Sequence, residues 1–350
     1  MAQRVTKNRS LVGLDIEPSG VSIVQVSVAG GVMRIERGAM IPLDAGIVRD
    51  GEVTDVEALS DALRTLYREN KGFDKRVRIG VANQKIVVRV VELPPIADPK
   101  EMDAAVRFRA QDEIPMPLES AVLDFHPLDV VDTPEGPRQR VVVVAARRDM
   151  IERVLTAVRA AGLRPEGLDL AAFAMIRALY QPGPDQAVMY LSVGGLTNLA
   201  VAEGTRCLFT RVVGGGLESL AVELAERRQL TLDHARAWLT HVGIGRPLET
   251  IEGEPEIISE ANLVLSDGVR RIAVEARNSL DFHVGQDGSP AVSRVVLTGA
   301  AASVPGFGEA LSIELGMPVD VRTVDGAPAE IDAGRLSVAA GLAIGESMAA

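Results

Sequence analysis

Along residues 11–28, LVGLDIEPSGVSIVQVSV, apolar and polar positions alternate on either side of Glu17-Pro18-Ser19-Gly20. A period of two predicts half-buried strands, and Pro, Ser and Gly supply the turn between them. Val56, Leu59, Leu63, Leu66 and Tyr67 then recur at helical spacing, which predicts a helix over 55–70. Residues 77–93 read as two strand segments joined at Asn83-Gln84, and Leu93-Pro94-Pro95 ends them. Met102, Ala105, Val106 and Ala110 share a helical face, and the prolines of EIPMPL stop that helix. A strand is expected near Leu123–Leu128, a loop over Asp132–Arg138 and a buried strand in VVVVAA, Val141 to Ala146. A helix with Ile151, Val154, Leu155 and Val158 on one face follows, and Gly162 suits its C-terminal cap.

The segment YQPGPDQ, Tyr180 to Gln186, reads as a linker, and beyond it the pattern restarts. Val188–Val193 is a strand, followed by a turn, a second strand, Gly214-Gly215-Gly216 and a helix. The echo of the first strand-turn-strand predicts a duplicated unit and an α/β class.

Composition narrows the function. With 350 residues about two domains are expected, and 47% apolar content supports a large core, aliphatic because aromatics are only 3%. A net charge of −11 argues against nucleic-acid backbone binding and against unaided binding to an anionic membrane. The first ten residues, MAQRVTKNRS, lead into no signal-type apolar core, and no run approaches the ~18 apolar residues of a membrane helix. The lone Cys207 cannot form an internal disulfide, which fits a reducing compartment. His126, His234, His241 and His283 are scattered, without metal-ligand or triad spacing.

Three turns carry the candidate chemistry: LDIEPSGVS (Leu14 to Ser22), LSVGGLTNL (Leu191 to Leu199) and VLTGAAASVPGF (Val296 to Phe307). Small residues in such turns expose backbone N–H groups that can bind phosphate, and an acidic residue such as Asp15 could hold Mg²⁺ through water. Each turn alone also reads as an ordinary hairpin.

Longer motifs carry a resemblance. AVRFRAQDEIPMPLESAVLDFHPL (Ala105 to Leu128), AARRDMIERVLTAVRAAGLRPEGLDLAAFAMIRAL (Ala145 to Leu179), VVLTGAAASVPGFGEALSIELGMPV (Val295 to Val319) and LSVAAGLAIGE (Leu336 to Glu346) occur in this order. With them the chain resembles the PilM family, actin-like proteins of type IV pilus assembly related to FtsA, from Leu11 to Glu346. The resemblance implies a two-lobed actin-like fold with a small subdomain inserted in the first lobe. Its expected divisions are 1–83 for the first lobe, 84–162 for the insert and 163–184 for the return to the first lobe. The second lobe would span 185–332, and a closing helix 333–350.

The resemblance further implies nucleotide contacts, ATP with Mg²⁺, at Asp15, Ser19, Gly20, Ser22, Gly194, Gly195, Thr197, Gly214, Gly215, Gly216, Gly299, Ala300 and Gly306. Asp15 would hold the metal through water. The chain departs from the family pattern, however. Glu17 stands where a glycine is usual, Ser22 where a lysine is usual, and Ser192 where an aspartate is usual. The stretch Ala235-Arg236-Ala237-Trp238-Leu239 also lacks the family's purine-side lysine, and no lysine follows Lys100. One lost bond to a charged group is worth ~1.5–3 kcal/mol, so ATP is expected to bind no tighter than ~1 μM. Three accounts stay open: small residues packing the lobes together, weak ATP binding, and efficient turnover. Enzymatic activity is accordingly expected to be weak at most.

The implied function is a cytoplasmic scaffold. It would hold the N-terminal tail of a PilN-like inner-membrane protein in a groove between first lobe and insert, with Phe108, Ile114, Pro115 and Pro117 as candidate lining. Other inner-membrane and motor components of the pilus machine are implied as partners, with nucleic acid and direct membrane insertion excluded and self-association left open. Attachment at the inner membrane would come through those partners. The alternatives are an FtsA-like cytoskeletal adaptor, which needs a terminal amphipathic helix that ESMAA does not supply, and an active ATPase of the same superfamily.

Overall fold

A computed structural model of the chain describes residues 11–134, 136–183, 187–286 and 288–344. The expected second-lobe start at 185, the linker's last residues and Glu346 with the chain end lie outside the described residues, as do the first ten. Strands β1 (Val12–Glu17), β2 (Gly20–Ala29) and β3 (Val32–Pro42) form a meander. The two-residue strands β4 (Val48–Arg49) and β5 (Glu52–Val53) precede helix α1 (Val56–Glu69). The Asp55 side chain caps α1 by accepting from the Ala58 N–H at 2.9 Å. β6 (Arg76–Val81), β7 (Val87–Leu93) and α2 (Pro99–Glu113) come next. α2 starts at a proline and is capped by Asp98. Then follow β8 (Ala121–Thr133), β9 (Gly136–Arg147), α3 (Arg148–Ala160), β10 (Arg164–Leu170) and α4 (Ala171–Leu179).

The second half runs β11 (Ala187–Val193), β12 (Thr197–Glu203), β13 (Arg206–Val213), α5 (Leu217–Arg228), α6 (Leu232–Val242) and α7 (Pro255–Val284). It closes with β14 (Val292–Thr298), α8 (Phe307–Leu315), β15 (Val319–Val321) and α9 (Ser337–Leu342).

The duplication read from the pattern is present as topology. One sheet has the order β10-β6-β1-β2-β3 and the other β13-β12-β11-β14-β15. In each, an antiparallel meander is followed by two strands that add parallel to its first strand. Each sheet has its own outer core. Val12, Leu14, Leu59, Leu63, Ile79 and Val158 belong to the first, and Leu191, Leu199, Leu239, Leu265 and Phe307 to the second.

Between the sheets lie α4 and α9, which share one apolar cluster with Val24 and Val26 of β2 and with Val188, Tyr190 and Ala200 of the second sheet. Every residue of α9 is buried. A helix enclosed on all sides must be apolar and small all round, which SVAAGL is. Close approach is also why Gly13 sits on β1: a Cβ there would lie 2.8 Å from the Ala343 nitrogen.

The insert is a three-stranded sheet, β7-β9-β8, covered by α2. Its core comprises Val91, Leu93, Met102, Val106, Ala110, Ile114, Val141, Val143 and Ala145. Two expectations change here. Asp132–Arg138 is not a loop: β8 runs on to Thr133 and β9 starts at Gly136, because Gly136 takes φ +111° and Thr133 Oγ1 donates to its carbonyl at 2.7 Å. In VVVVAA, Val141, Val143 and Ala145 are buried in the core shared with α2, Val142 and Val144 on the other face are only half-buried, and Ala146 is buried against α3. Helix α3, placed at the end of the expected insert, packs Val154, Ala157 and Val158 into the first lobe's outer core. The insert touches the second lobe through Asp129, which pairs with Arg140 and lies 3.6 Å from Arg206.

Candidate functional site

β1 carries Asp15 and Glu17 to the centre of the molecule. Asp15 is buried and stands opposite Ser22, and Glu17 stands opposite Gly20, with only Pro18 and Ser19 between the strands. β11 and β12 make the second turn, in which the Gly194 N–H donates to the Leu196 carbonyl at 2.9 Å. That bond turns the neighbouring Gly195 N–H outward, and it donates to Glu17 Oε2 at 3.1 Å. The third turn follows β14. Gly299 has φ +82°, and a Cβ there would meet the Val193 nitrogen at 2.7 Å and Ser192 Oγ at 2.8 Å.

The three turns are therefore brought together, the first and the third each packing directly on the second. A Cβ on Gly194 would lie 2.6 Å from Glu17 Oε2, and one on Gly195 would lie 2.8 Å from Pro18 Cδ. Gly194 and Gly195 have no need of unusual torsions; they are small because the first turn occupies the space beside them.

The charges follow from this enclosure. Burial, reinforced by the nearby charge of Glu17, holds the Asp15 carboxyl well above the usual carboxylate range. The Glu17 carboxyl is also raised, chiefly by desolvation and to a smaller degree by Glu218. The Gly195 N–H, Arg335 and the Ser19 hydroxyl counter that rise.

The other expected nucleotide residues have internal partners. Ser22 Oγ donates to the Arg335 carbonyl at 3.4 Å. Thr197 Oγ1 donates to the Gly215 carbonyl at 2.9 Å, and the Gly194 carbonyl accepts from the Glu218 N–H at 3.2 Å. Ala300 is buried, and Gly306, at φ +74°, packs on the loop after α6, where the Ile244 N–H donates to the Pro305 carbonyl at 2.8 Å.

Thr197 and Gly214 to Gly216 line a cavity of about 450 Å³ with Ser219, Arg270 and Arg271. A second cavity, about 290 Å³, lies between the root of the insert at Val81–Val88 and Thr210–Val213 of β13. Neither is lined by Asp15, Glu17, Gly194, Gly195 or Gly299. Glu17 takes both the Gly195 N–H and the volume beside Gly194, so the first two turns as they stand do not fit a phosphate between them. Among the described residues, no group of three or more His, Cys, Asp or Glu side chains is arranged to hold a metal ion.

The candidate partner residues separate. Phe108 is 73% exposed and lines a groove of about 700 Å³ with Leu93, Pro94, Ala105, Arg109 and Pro134. Pro115 and Pro117 are exposed. Ile114 is a correction: it packs in the insert's core with Val106 and Ala110 and is not part of the groove at Phe108. Sequence reasoning saw Glu17 only as a repulsive charge and missed its bond to Gly195, because the bond joins residues 178 positions apart. It also missed Thr298 Oγ1 donating to Ser337 Oγ at 2.8 Å, which ties the third turn to α9.

Comparison with known proteins agrees with this architecture. A solved PilM-PilN type IV pilus biogenesis complex superposes with a TM-score of 0.77 at 27% identity, covering 95% of this chain and 97% of that one. The ethanolamine utilization protein EutJ from Carboxydothermus hydrogenoformans shares the fold at a TM-score of 0.54 and 18% identity, over 95% and 88% of the two chains. A diol dehydratase-reactivating factor in nucleotide-free form does so at 0.51 and 9%, over 95% and 99%. The family described as type IV pilus assembly protein PilM matches residues 13–343, so a two-lobed actin-like chain with its insert in the first lobe belongs to the PilM family.

Proposed function

We propose that this protein is the actin-like scaffold of a type IV pilus assembly machine and captures the N-terminal tail of a PilN-like inner-membrane protein. The observation that carries this reading is the similarity to the PilM-PilN complex, which covers insert and lobes alike at 27% identity. The geometry supports it. The insert's sheet, in the order β7-β9-β8, has two outer strands that hydrogen-bond on one side only. Such an edge pairs with an extended peptide by main-chain bonds, while side-chain pockets select the sequence. The groove at Phe108 supplies apolar surface with Arg109 beside it.

No described helix is long and apolar enough to cross a membrane, so attachment to the inner membrane would come through the tail's own protein. On this reading 84–162 is the partner-binding region, with its sheet and α2 forming the recognition part. The active-ATPase alternative loses support because the first turn fills the phosphate position of the second. Titration of the full-length chain with a synthetic PilN-like tail peptide tests the reading. Saturable binding that Phe108→Ser weakens at least tenfold is expected, a loss of about 1.4 kcal/mol. No binding of the peptide by the folded wild type would overturn it.

A further inference from the structure

The contact between Glu17 and Gly195 joins the two lobes through two of the turns that the family resemblance assigns to nucleotide. We infer that Glu17 is a built-in anion: its carboxylate occupies the anion position of the second turn and closes the lobes on each other without nucleotide.

Four observations support this. The bond itself is a charge-assisted one, backbone N–H to carboxylate, at 3.1 Å. The absence of a Cβ at Gly194 and Gly195 is used by Glu17 and Pro18, so the small residues fit the protein's own side chain. The groups that hold the carboxylate are internal: burial raises its pKa, and the Gly195 N–H, the Arg335 charge and the Ser19 hydroxyl, all from the chain itself, work against that rise. Finally, the surroundings reject a second anion. Asp15 lies behind Glu17 on the same strand, and Glu218 begins α5 on the far side. Arg236 is drawn away into ion pairs with Glu218 and Asp233. A polyphosphate would have to displace Glu17 and then sit beside the carboxyl groups of Asp15, Glu17 and Glu218, with no lysine beyond Lys100 to draw it in.

The closure differs from that of a nucleotide-gated protein. A bridging ligand makes lobe closure depend on ligand concentration, whereas an internal carboxylate makes it a property of the folded chain. The scaffold would then present the same insert to its partner at every nucleotide level.

The test uses the full-length chain and a fluorescent ATP analogue with Mg²⁺, without any partner peptide, so its outcome is independent of the partner reading. Wild type is expected to show no saturable binding up to about 1 mM. Glu17→Ala opens the position and is expected to gain at least tenfold in affinity while melting at a lower temperature without nucleotide. Glu17→Gln keeps an oxygen for the Gly195 N–H and is expected to melt close to wild type, with a gain of at least threefold from the lost charge. Saturable binding by wild type below about 1 mM overturns the inference, as does a folded Glu17→Ala that binds no better than wild type. Should Glu17→Ala not fold, Glu17→Gln decides, and an affinity equal to wild type overturns the inference.

Discussion

Gly341→Ala puts a single methyl into the crossing of α9 and α4. The new Cβ would lie against the Ala174 carbonyl, 2.5 Å from its carbon and 3.0 Å from Ala174 Cα. Carbon atoms pack at about 3.5–4.0 Å, so the helices must separate by about 1 Å. They have little room to do so. Both are enclosed between the two sheets, and the clashing atoms are backbone, which no rotamer change can move. Two effects compete. Replacing glycine inside a helix favours folding by about 1 kcal/mol. Overpacking costs about 1–3 kcal/mol, and a rigid backbone contact belongs at the upper end.

The net expectation is a loss of about 2 kcal/mol, which lowers the melting temperature by about 3 °C for a chain of this length. The separation also stretches the bond from Arg177 Nη2 to the Gly341 carbonyl, now 3.2 Å. Thermal unfolding followed by circular dichroism measures the effect. Gly167→Ala is the control, because its nearest neighbour would be Arg78 Nε at 3.9 Å, and it should stay within about 0.5 kcal/mol of wild type. A Gly341→Ala protein as stable as wild type, or more stable, would refute the close packing of α9 on α4.

Asp15→Asn should make stability less dependent on pH. A carboxyl raised in the folded state favours folding below its unfolded value, near 4, and loses that contribution as pH rises through its higher folded value. The variant should therefore gain on wild type as denaturant titrations move upward from pH 4, and a constant difference across that range would contradict the burial of an unpaired charge. Phe307→Ala, at a fully buried position of the second lobe, should cost about 3–5 kcal/mol in the same titrations; a loss under 1 kcal/mol would mean that the pocket collapses freely. Asp129→Ala removes an exposed ion pair between insert and second lobe. Global stability should change by less than about 1 kcal/mol, while amide exchange along β8 speeds up at low salt; unchanged exchange would show that the pair restrains nothing. In cells lacking the PilN-like protein the chain should leave the membrane fraction, and its persistence there would reveal a second anchor.

The local pattern determined most of the elements. Alternation in 11–28 marked β1 and β2, although these strands are buried on both faces rather than half-buried, one face under the outer core and the other under α4 and α9, and the spacing of Leu59, Leu63 and Leu66 produced α1 because that face packs into the outer core. The restart after the linker was legible because a duplicated fold repeats its turns as well as its strands. The extent of the insert's hairpin was not legible: Asp132–Arg138 is rich in turn residues, yet only its centre turns, since the ladder of the β8–β9 hairpin continues to Thr133 and Gly136 and overrides local preference. Ile114 read as groove lining beside two prolines, and only α2's packing turned it inward.

The candidate site divides along the same line. That three small-residue turns matter was visible in the chain, as was the oddity of Glu17. What the carboxylate does there was decided by tertiary structure alone. A glutamate that ends a strand can repel an anion or replace one. The difference lies in a single N–H from Gly195, which the fold of the other lobe brings to its side.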